Sequence, residues 1–144
     1  MMRLAGKDDM DFIKGLIEQA ALNTEDLDKA DVDFLVWEDQ SGNPAAVVGI
    51  ENLKEAGLIR SLVFTPVFHP ANLPLFIEKA VGLGRLKKYS RLLLGTDKKA
   101  SADLFHCMGF QKVQLEEISQ TLQLSTHGKY LMGITICEFM QIRL

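Results

Sequence analysis

Residues 56–96, AGLIRSLVFTPVFHPANLPLFIEKAVGLGRLKKYSRLLLGT, contain the elements that decide the predicted fold. The apolar run over 56–64 is typical of a strand, and the short apolar run over 91–96 is typical of a strand buried on both faces. Between them, apolar residues recur at helical spacing, at Leu73, Phe76, Ile77, Ala80 and Val81. A strand, a helix and a second strand in this order predict a parallel crossover connection.

The segments upstream of this unit predict a helix and then an antiparallel hairpin. Residues 7–22 show helical periodicity, with Asp8 as the expected N-cap. Two apolar runs, 33–39 and 44–52, flank a Gln-Ser-Gly-Asn turn, which is the pattern of a hairpin. Residues 2–4 are a candidate edge strand before the helix.

Downstream of the crossover, residues 98–110 predict another helix, with Ser101 or Asp97 as its cap. Residues 111–115 and 134–144 are expected to be the last two strands, joined by a polar connector. The parallel crossover therefore lies in an otherwise antiparallel sheet, with helices on both faces.

Composition limits the classes of function. The 144 residues fit a single domain spanning 1–144, and the net charge of −3 with a pI near 5.6 argues against nucleic-acid binding. No apolar run approaches the roughly 20 residues of a membrane span, so a soluble, cytoplasmic protein is expected. Cys107 and Cys137 are expected to be buried thiols, and His69, His106 and His127 show no metal-ligand spacing, so no metal is predicted.

Two motifs then support a resemblance to a known fold. Residues 60–76 carry a strand end, the pair Thr65-Pro66, the aromatic Phe68 and the start of a helix. Residues 100–113, ASADLFHCMGFQKV, form a helix that ends in Gly-Phe before a strand. In this order and length, the chain resembles the Gcn5-related N-acetyltransferase (GNAT) fold. The resemblance implies an α/β (α+β) domain with a mixed, mostly antiparallel sheet of about six to seven strands and helices on both faces.

The tail resembles one branch of that superfamily. An Ile-x-x-Thr stretch, Ile118 to Thr121, precedes the final strand, as in the N-acetylglutamate-synthase-like branch that includes arsenic-resistance acetyltransferases. The run GLIRSLVF, 57–64, is also typical of that branch.

The resemblance implies acetyl transfer from acetyl-CoA, as a co-substrate, to a primary amine of a small molecule or amino acid. In such proteins the pantetheine arm pairs with the main chain of the fourth strand, here Leu62, Val63 and Phe64. A backbone N–H of that strand also stabilises the oxyanion.

The loop expected to hold the pyrophosphate departs from the pattern of the superfamily. Its glycine and small-residue positions fall on Asn72 and Pro74, and its basic position falls on His69. Pro70 and Pro74 have no N–H. The remaining donors are the backbone N–H groups of His69, Ala71, Asn72, Leu73 and Leu75. Lys98, with Lys99 beside it, is the nearest cationic candidate for the phosphates. The same residues are also consistent with lysines that are simply solvated.

Acid and base positions are also altered. The tyrosine that many relatives use as general acid corresponds to Phe105, which has no proton to donate. Glu51 is the preferred candidate base, with Glu38 and Glu55 as alternatives, although each could be an ordinary strand-end carboxylate. Arg60 matches an acceptor carboxylate, or alternatively a structural ion pair.

Two other interpretations stay open. The lost glycines and Phe105 favour a catalytically degenerate binding or interaction module with the same fold. The final strand, if it lies exposed at an edge, favours a homodimer.

Overall fold

A computed structural model of the protein describes residues 1–22, 24–134 and 138–144. Within these ranges the strands are β1 (Met2–Leu4), β2 (Val32–Glu38), β3 (Pro44–Leu53), β4 (Ala56–Phe64), β5 (Arg91–Thr96), β6 (Gln111–Lys112) and β7 (Glu138–Arg143). The helices are α1 (Met10–Gln19), α2 (Leu73–Leu86), α3 (Lys99–Cys107), α4 (Leu115–Leu122) and α5 (Thr126–Met132). Two 3-10 turns, Lys7–Asp9 and Pro70–Asn72, precede α1 and α2.

The strands form one mixed sheet in the order β1-β2-β3-β4-β5-β7-β6. Every neighbouring pair is antiparallel except β4 and β5, which are joined through α2 and run parallel. The predicted hairpin and the predicted crossover are therefore both confirmed. The fold is GNAT-like, as the sequence motifs indicated.

Helices cover both faces of the sheet because its central strands are apolar on both sides. In β5, Leu92 and Leu94 pack with α2 and α3, whereas Leu93 packs with α4 and α5. In β2, Leu35 lies on the face of the sheet that α2 covers, whereas its neighbours Phe34 and Val36 lie on the other face and pack against α1. Alternation along an extended strand places successive side chains on opposite faces.

The segment between β6 and β7 differs from the prediction. We expected a polar connector, but it contains α4 and α5, whose residues Ile118, Leu122 and Leu131 are buried against the sheet. The two helices approach so closely that a Cβ atom on Gly128 would lie 2.0 Å from the carbonyl oxygen of Leu122. The predicted strand over 134–144 begins at Glu138, and residues 135–137 lie outside the described part of the chain.

Several local predictions are wrong. The N-cap of α1 is Asp9, not Asp8, and that of α3 is Lys98 instead of Ser101 or Asp97. Cys107 is exposed, not buried, and Cys137 lies outside the described residues.

The final strand is not at an edge of the sheet. β7 lies between β5 and β6, and the outer strand on that side is β6, which has two residues. The edge that we invoked for a homodimer is therefore partly covered, by the pairing of β6 with Met140 and Gln141.

Candidate active site

The two parallel strands separate along their length. β4 and β5 pair only at Ala56, Gly57 and Leu58, opposite Arg91 to Leu93. A Cβ atom on Gly57 would lie 2.7 Å from Leu92 and from Ile50, so the absence of a side chain permits the close approach at this end. Beyond Leu58 no described strand pairs with β4 on its β5 side. A cavity of about 280 Å³, here named the gap cavity, lies where the strands diverge.

A bulge in β4 shapes the wall of the gap cavity. The β3–β4 pairing shifts between Val47 and Gly49, which are opposite Val63 and Arg60, so β4 holds one extra residue here. Ser61 has φ of 58°, an uncommon conformation for a residue with a side chain. Ser61 and Leu62 both line the gap cavity. Bulges next to active sites redirect main-chain and side-chain groups.

The gap cavity has two chemically different ends. On the α3 side it is lined by Asp97, Lys98, Ser101 and Phe105. On the opposite side it is lined by the residues after α1 and by the α5 segment, namely Ala21, Leu22, His127, Tyr130, Leu131 and Ile134. We call these the α3 end and the α5 end. Phe105 is buried and packs edge-to-face on Phe110, with 5.2 Å between the ring centroids.

Beside the α5 end lies a buried group of charges, the charge cluster, formed by Asp26, Glu51 and Arg60. Arg60 precedes the bulge, and its side chain has no exposed surface. Its Nη1 and Nη2 donate to the two carboxylate oxygens of Asp26 at 2.7 and 2.9 Å, and Nη1 also donates to Glu51 at 3.0 Å. The cluster ties the loop after α1 to β3 and β4.

The two carboxylates of the charge cluster differ in pKa. Hydrogen bonds from Arg60 hold the pKa of Asp26 below its ordinary value, in spite of burial. Burial raises the pKa of Glu51, and the nearby guanidinium of Arg60 only partly offsets it. Burial is the largest influence on Glu51, whereas the two bonds from Arg60 are the largest influence on Asp26; Glu51 receives only one bond from Arg60.

His127 lies between the charge cluster and the gap cavity. Burial and the positive charge of Arg60 lower its pKa from 6.5 to about 4, so the imidazole is neutral at pH 7. Its Nδ1 is buried without a hydrogen-bond partner among the described residues, and so is Nε of Arg60. The His127 ring stacks on Tyr130 with 5.9 Å between centroids.

The turn after β4 is closed on itself. The N–H of Ala71 donates to Nδ1 of His69 at 3.0 Å, and the N–H of Asn72 donates to the His69 carbonyl at 2.9 Å. The N–H of Leu73 donates to the carbonyl of Pro70. Three of the five expected donors therefore already have partners inside the turn. The His69 and Asn72 side chains line a second, more open cavity of about 600 Å³ beside Trp37.

The structure separates the predicted site residues into groups. The gap cavity brings together Leu62, Lys98 and Phe105, whereas Glu51 and Arg60 lie in the adjoining charge cluster. Val63 and Phe64 continue β4 past the bulge, paired with β3, and Leu73, Pro74 and Leu75 begin α2.

The alternative base candidates lie elsewhere. Glu38 pairs with Arg3 at the end of β2. Glu55 precedes β4 at the paired end of the two strands and accepts bonds from Arg91 at 3.0 and 3.2 Å.

Sequence reasoning missed Ser61, His127 and Tyr130. The signal for the α5 segment was present, because residues 127, 130, 131 and 134 recur at the i, i+3, i+4, i+7 spacing of one helix face. Within the described residues, no three potential ligands form a metal site, and no helix is long and apolar enough to cross a membrane.

Comparison with solved structures supports the fold assignment. Rv2747 from Mycobacterium tuberculosis, in complex with CoA and NLQ, aligns over 100% of this chain and 99% of its own with a TM-score of 0.73 and 17% identity. N-acetylglutamate synthase from Neisseria gonorrhoeae, complexed with coenzyme A and N-acetyl-glutamate, aligns with a TM-score of 0.76 and 19% identity. This chain spans 35% of that synthase. The similarity to these structures shows that this chain has a GNAT-like fold.

The sequence itself is similar to YwlB, an uncharacterized protein of Bacillus subtilis strain 168. The two are 28% identical over 127 residues, which cover 88% of this chain and 85% of YwlB. No family model matches the sequence.

Proposed function

We propose that the protein is an acyl-CoA-dependent N-acetyltransferase that moves an acetyl group to a primary amine. The observation that carries the proposal is the separation of β4 and β5 after Leu58, with the bulge at Ser61 and the gap cavity between the strands. An opened pair leaves main-chain groups of β4 able to bind an extended ligand as a further strand would bind.

In this proposal the pantetheine arm lies along Leu62, Val63 and Phe64, and the thioester reaches the gap cavity. The amine nitrogen attacks the thioester carbon, the C–N bond forms, and the C–S bond then breaks to release the thiolate of CoA. A backbone N–H at the bulge stabilises the oxyanion. The ammonium proton passes to water, and the thiolate takes a proton from solvent.

Side chains around the gap cavity have supporting roles. Phe105 gives the thioester an apolar wall, and Ser101 lies one turn before it on the same face of α3. We assign to the Ser101 hydroxyl a hydrogen bond to the departing sulfur, in place of the tyrosine that many relatives have at the position of Phe105. Arg60 and Glu51 act as positioning residues, because Arg60 donates to both Glu51 and Asp26 and so fixes the loop after α1 against β3 and β4.

The phosphates are held weakly in this proposal. Pro70 and Pro74 offer no N–H, and the N–H groups of Ala71, Asn72 and Leu73 already have partners in the turn. Lys98, at the α3 end, supplies the cation. We also propose that the chain, as one domain over 1–144, belongs to the N-acetylglutamate-synthase-like branch, which the stretch Ile118 to Thr121 and the run 57–64 resemble, and that its pyrophosphate loop is degenerate.

The experiment combines binding and turnover. Thermal unfolding is measured with and without millimolar acetyl-CoA, because a ligand at a hundred times its dissociation constant stabilises the folded state by about 2.7 kcal/mol. N-acetylated products from an amine panel are then quantified by mass spectrometry. A thiol-reactive dye is unsuitable because Cys107 is exposed. No stabilisation at any attainable concentration contradicts the proposal.

The closed turn favours a second candidate, a catalytically degenerate GNAT-fold binding or interaction module. Three engaged donors and the absence of a tyrosine at Phe105 are consistent with it. Stabilisation by acetyl-CoA without turnover of any amine would favour this module.

A further inference from the structure

The α5 end of the gap cavity is mainly apolar. Ala21, Leu22, Leu131 and Ile134 supply hydrocarbon, and the aromatic ring of Tyr130 adds to it. Among the described residues that line this end, His127 is the one with a side-chain nitrogen, and its lowered pKa keeps it uncharged at pH 7. The α5 end is therefore a small cavity that would bind the apolar tail of an acceptor most favourably.

No cationic side chain among the described residues lines this end, so a carboxylate on the acceptor would have no charge partner there. Among the described lining residues the one cation is Lys98, which lies at the α3 end beside Asp97. Asn23 and residues 135–137, which the structure does not describe, are Asn, Thr, Ile and Cys and carry no positive charge. A desolvated carboxylate without a partner is strongly disfavoured.

The guanidinium of Arg60 already uses both of its Nη groups in the charge cluster, and its unpaired Nε is buried. Arg60 is sealed from the gap cavity, and the Asp26 carboxylate takes the two-oxygen contact that a substrate carboxylate would need. With Glu51 as well, the charge cluster holds two carboxyl groups for one guanidinium. A third carboxylate nearby would be repelled and not bound.

Building on the function proposed above, we infer that the acceptor is a small primary amine with an apolar tail and no carboxylate. The charge cluster supports this specificity by occupying Arg60 with Asp26. Amino acids are therefore poor acceptors, although the chemistry at nitrogen is the same.

Three matched acceptors test the inference with the intact protein: 3-methylbutylamine, leucinamide and leucine. They share the same apolar tail, and leucinamide lacks the carboxylate of leucine; because the three amines differ in basicity, their rates are compared per concentration of uncharged amine. We expect kcat/KM for 3-methylbutylamine and leucinamide to exceed that for leucine by about 100-fold or more. Equal or better use of leucine than of leucinamide overturns the inference, and so does failure to acetylate any of the three while other amines of the panel are acetylated.

A charge placed at the α5 end provides an independent test. Leu22 is 41% exposed and lines the gap cavity, so Leu22→Arg can introduce a cation without burying it. We expect this variant to raise kcat/KM for leucine about two- to fivefold, because an exposed ion pair between the new arginine and the leucine carboxylate contributes a free energy of that size. Leu124→Arg, at a position with 51% exposure outside the gap cavity, is the matched control and should leave it unchanged. No gain for Leu22→Arg over the control contradicts the placement of the acceptor.

Different results would contradict the transferase proposal and the inference about the acceptor. If acetyl-CoA does not stabilise the protein, the transferase proposal fails. If acetyl-CoA binds and leucine is the preferred acceptor, the transferase proposal stands and the inference about the acceptor is wrong.

Discussion

Asp26 and Glu51 contact the same guanidinium but should respond very differently to loss of charge. Asp26 is 7% exposed and accepts two bonds from Arg60, at 2.7 and 2.9 Å. In Asp26→Asn one of the two acceptors becomes an NH₂ group that faces the donors of Arg60. Breaking a buried pair in this way costs about 3–5 kcal/mol. We therefore expect Asp26→Asn to lower the free energy of unfolding by that amount.

Glu51→Gln should cost no more than about 1 kcal/mol. The amide oxygen can still accept the 3.0 Å bond from Arg60, and the substitution removes a carboxylate whose pKa burial already raises. The Asp26–Arg60 pair is then left electrically balanced. Urea unfolding followed by circular dichroism at pH 7 measures both variants.

The pH dependence gives a second readout of Glu51. Its pKa is raised on folding above 4.5, so the native state binds more protons than the unfolded chain. Stability contributed by this group is then present at low pH and is lost as pH rises through the folded pKa. Glu51→Gln should remove that decline. Comparable costs for the two variants, or an unchanged pH profile in Glu51→Gln, would refute the reasoning about the charge cluster.

Four further predictions concern other parts of the structure. Gly128→Ala should destabilise the protein by about 1–3 kcal/mol in urea unfolding, because its Cβ would meet Leu122 O at 2.0 Å, whereas Gly133→Ala should be tolerated since its nearest contact is 3.4 Å. Equal effects would contradict this packing. The pKa of His127 falls from 6.5 to about 4 on folding. Between these two pH values the unfolded chain binds more protons than the folded one, so the free energy of unfolding should fall as the pH drops from 6.5 to about 4. His127→Gln should flatten this fall, and an unchanged slope would count against it. Pro74→Gly restores one N–H at the start of α2 and should tighten acetyl-CoA binding up to about tenfold by calorimetry; no change would mean that the phosphates lie elsewhere. Ser101→Ala should lower kcat with little change in KM, and an unaltered kcat would exclude the proposed bond to sulfur.

The sheet was predictable because its signals are local and strong. The apolar run over 91–96 indicated a strand buried on both faces, and the structure places Leu92 and Leu93 on opposite faces. The periodicity from Leu73 onward indicated the crossover helix, and α2 is observed at Leu73–Leu86. Each of these elements carries its own periodicity, so no tertiary information was needed.

The site was less predictable because its geometry depends on distant contacts. The Asp26–Arg60 pair joins residues 34 positions apart, and nothing in the sequence indicates which carboxylate reaches the guanidinium. The bulge at Ser61 depends on the shifted pairing between β3 and β4. The helices α4 and α5 were missed because polar residues outnumber the few apolar residues on their buried faces. Helices this short are stable only when their apolar face packs on the sheet.

The central claim, that acyl-CoA binds in the gap between β4 and β5, is tested most directly by calorimetric titration of acetyl-CoA into three proteins. Ser101 lines the gap cavity, and Ser101→Trp should fill it, whereas Cys107→Trp places the same ring at an exposed position on the same helix. We predict one bound acetyl-CoA per chain in the unmodified protein and in Cys107→Trp, and at least about tenfold weaker binding in Ser101→Trp. Absence of binding to the unmodified protein, or equal affinity in Ser101→Trp, would contradict the claim.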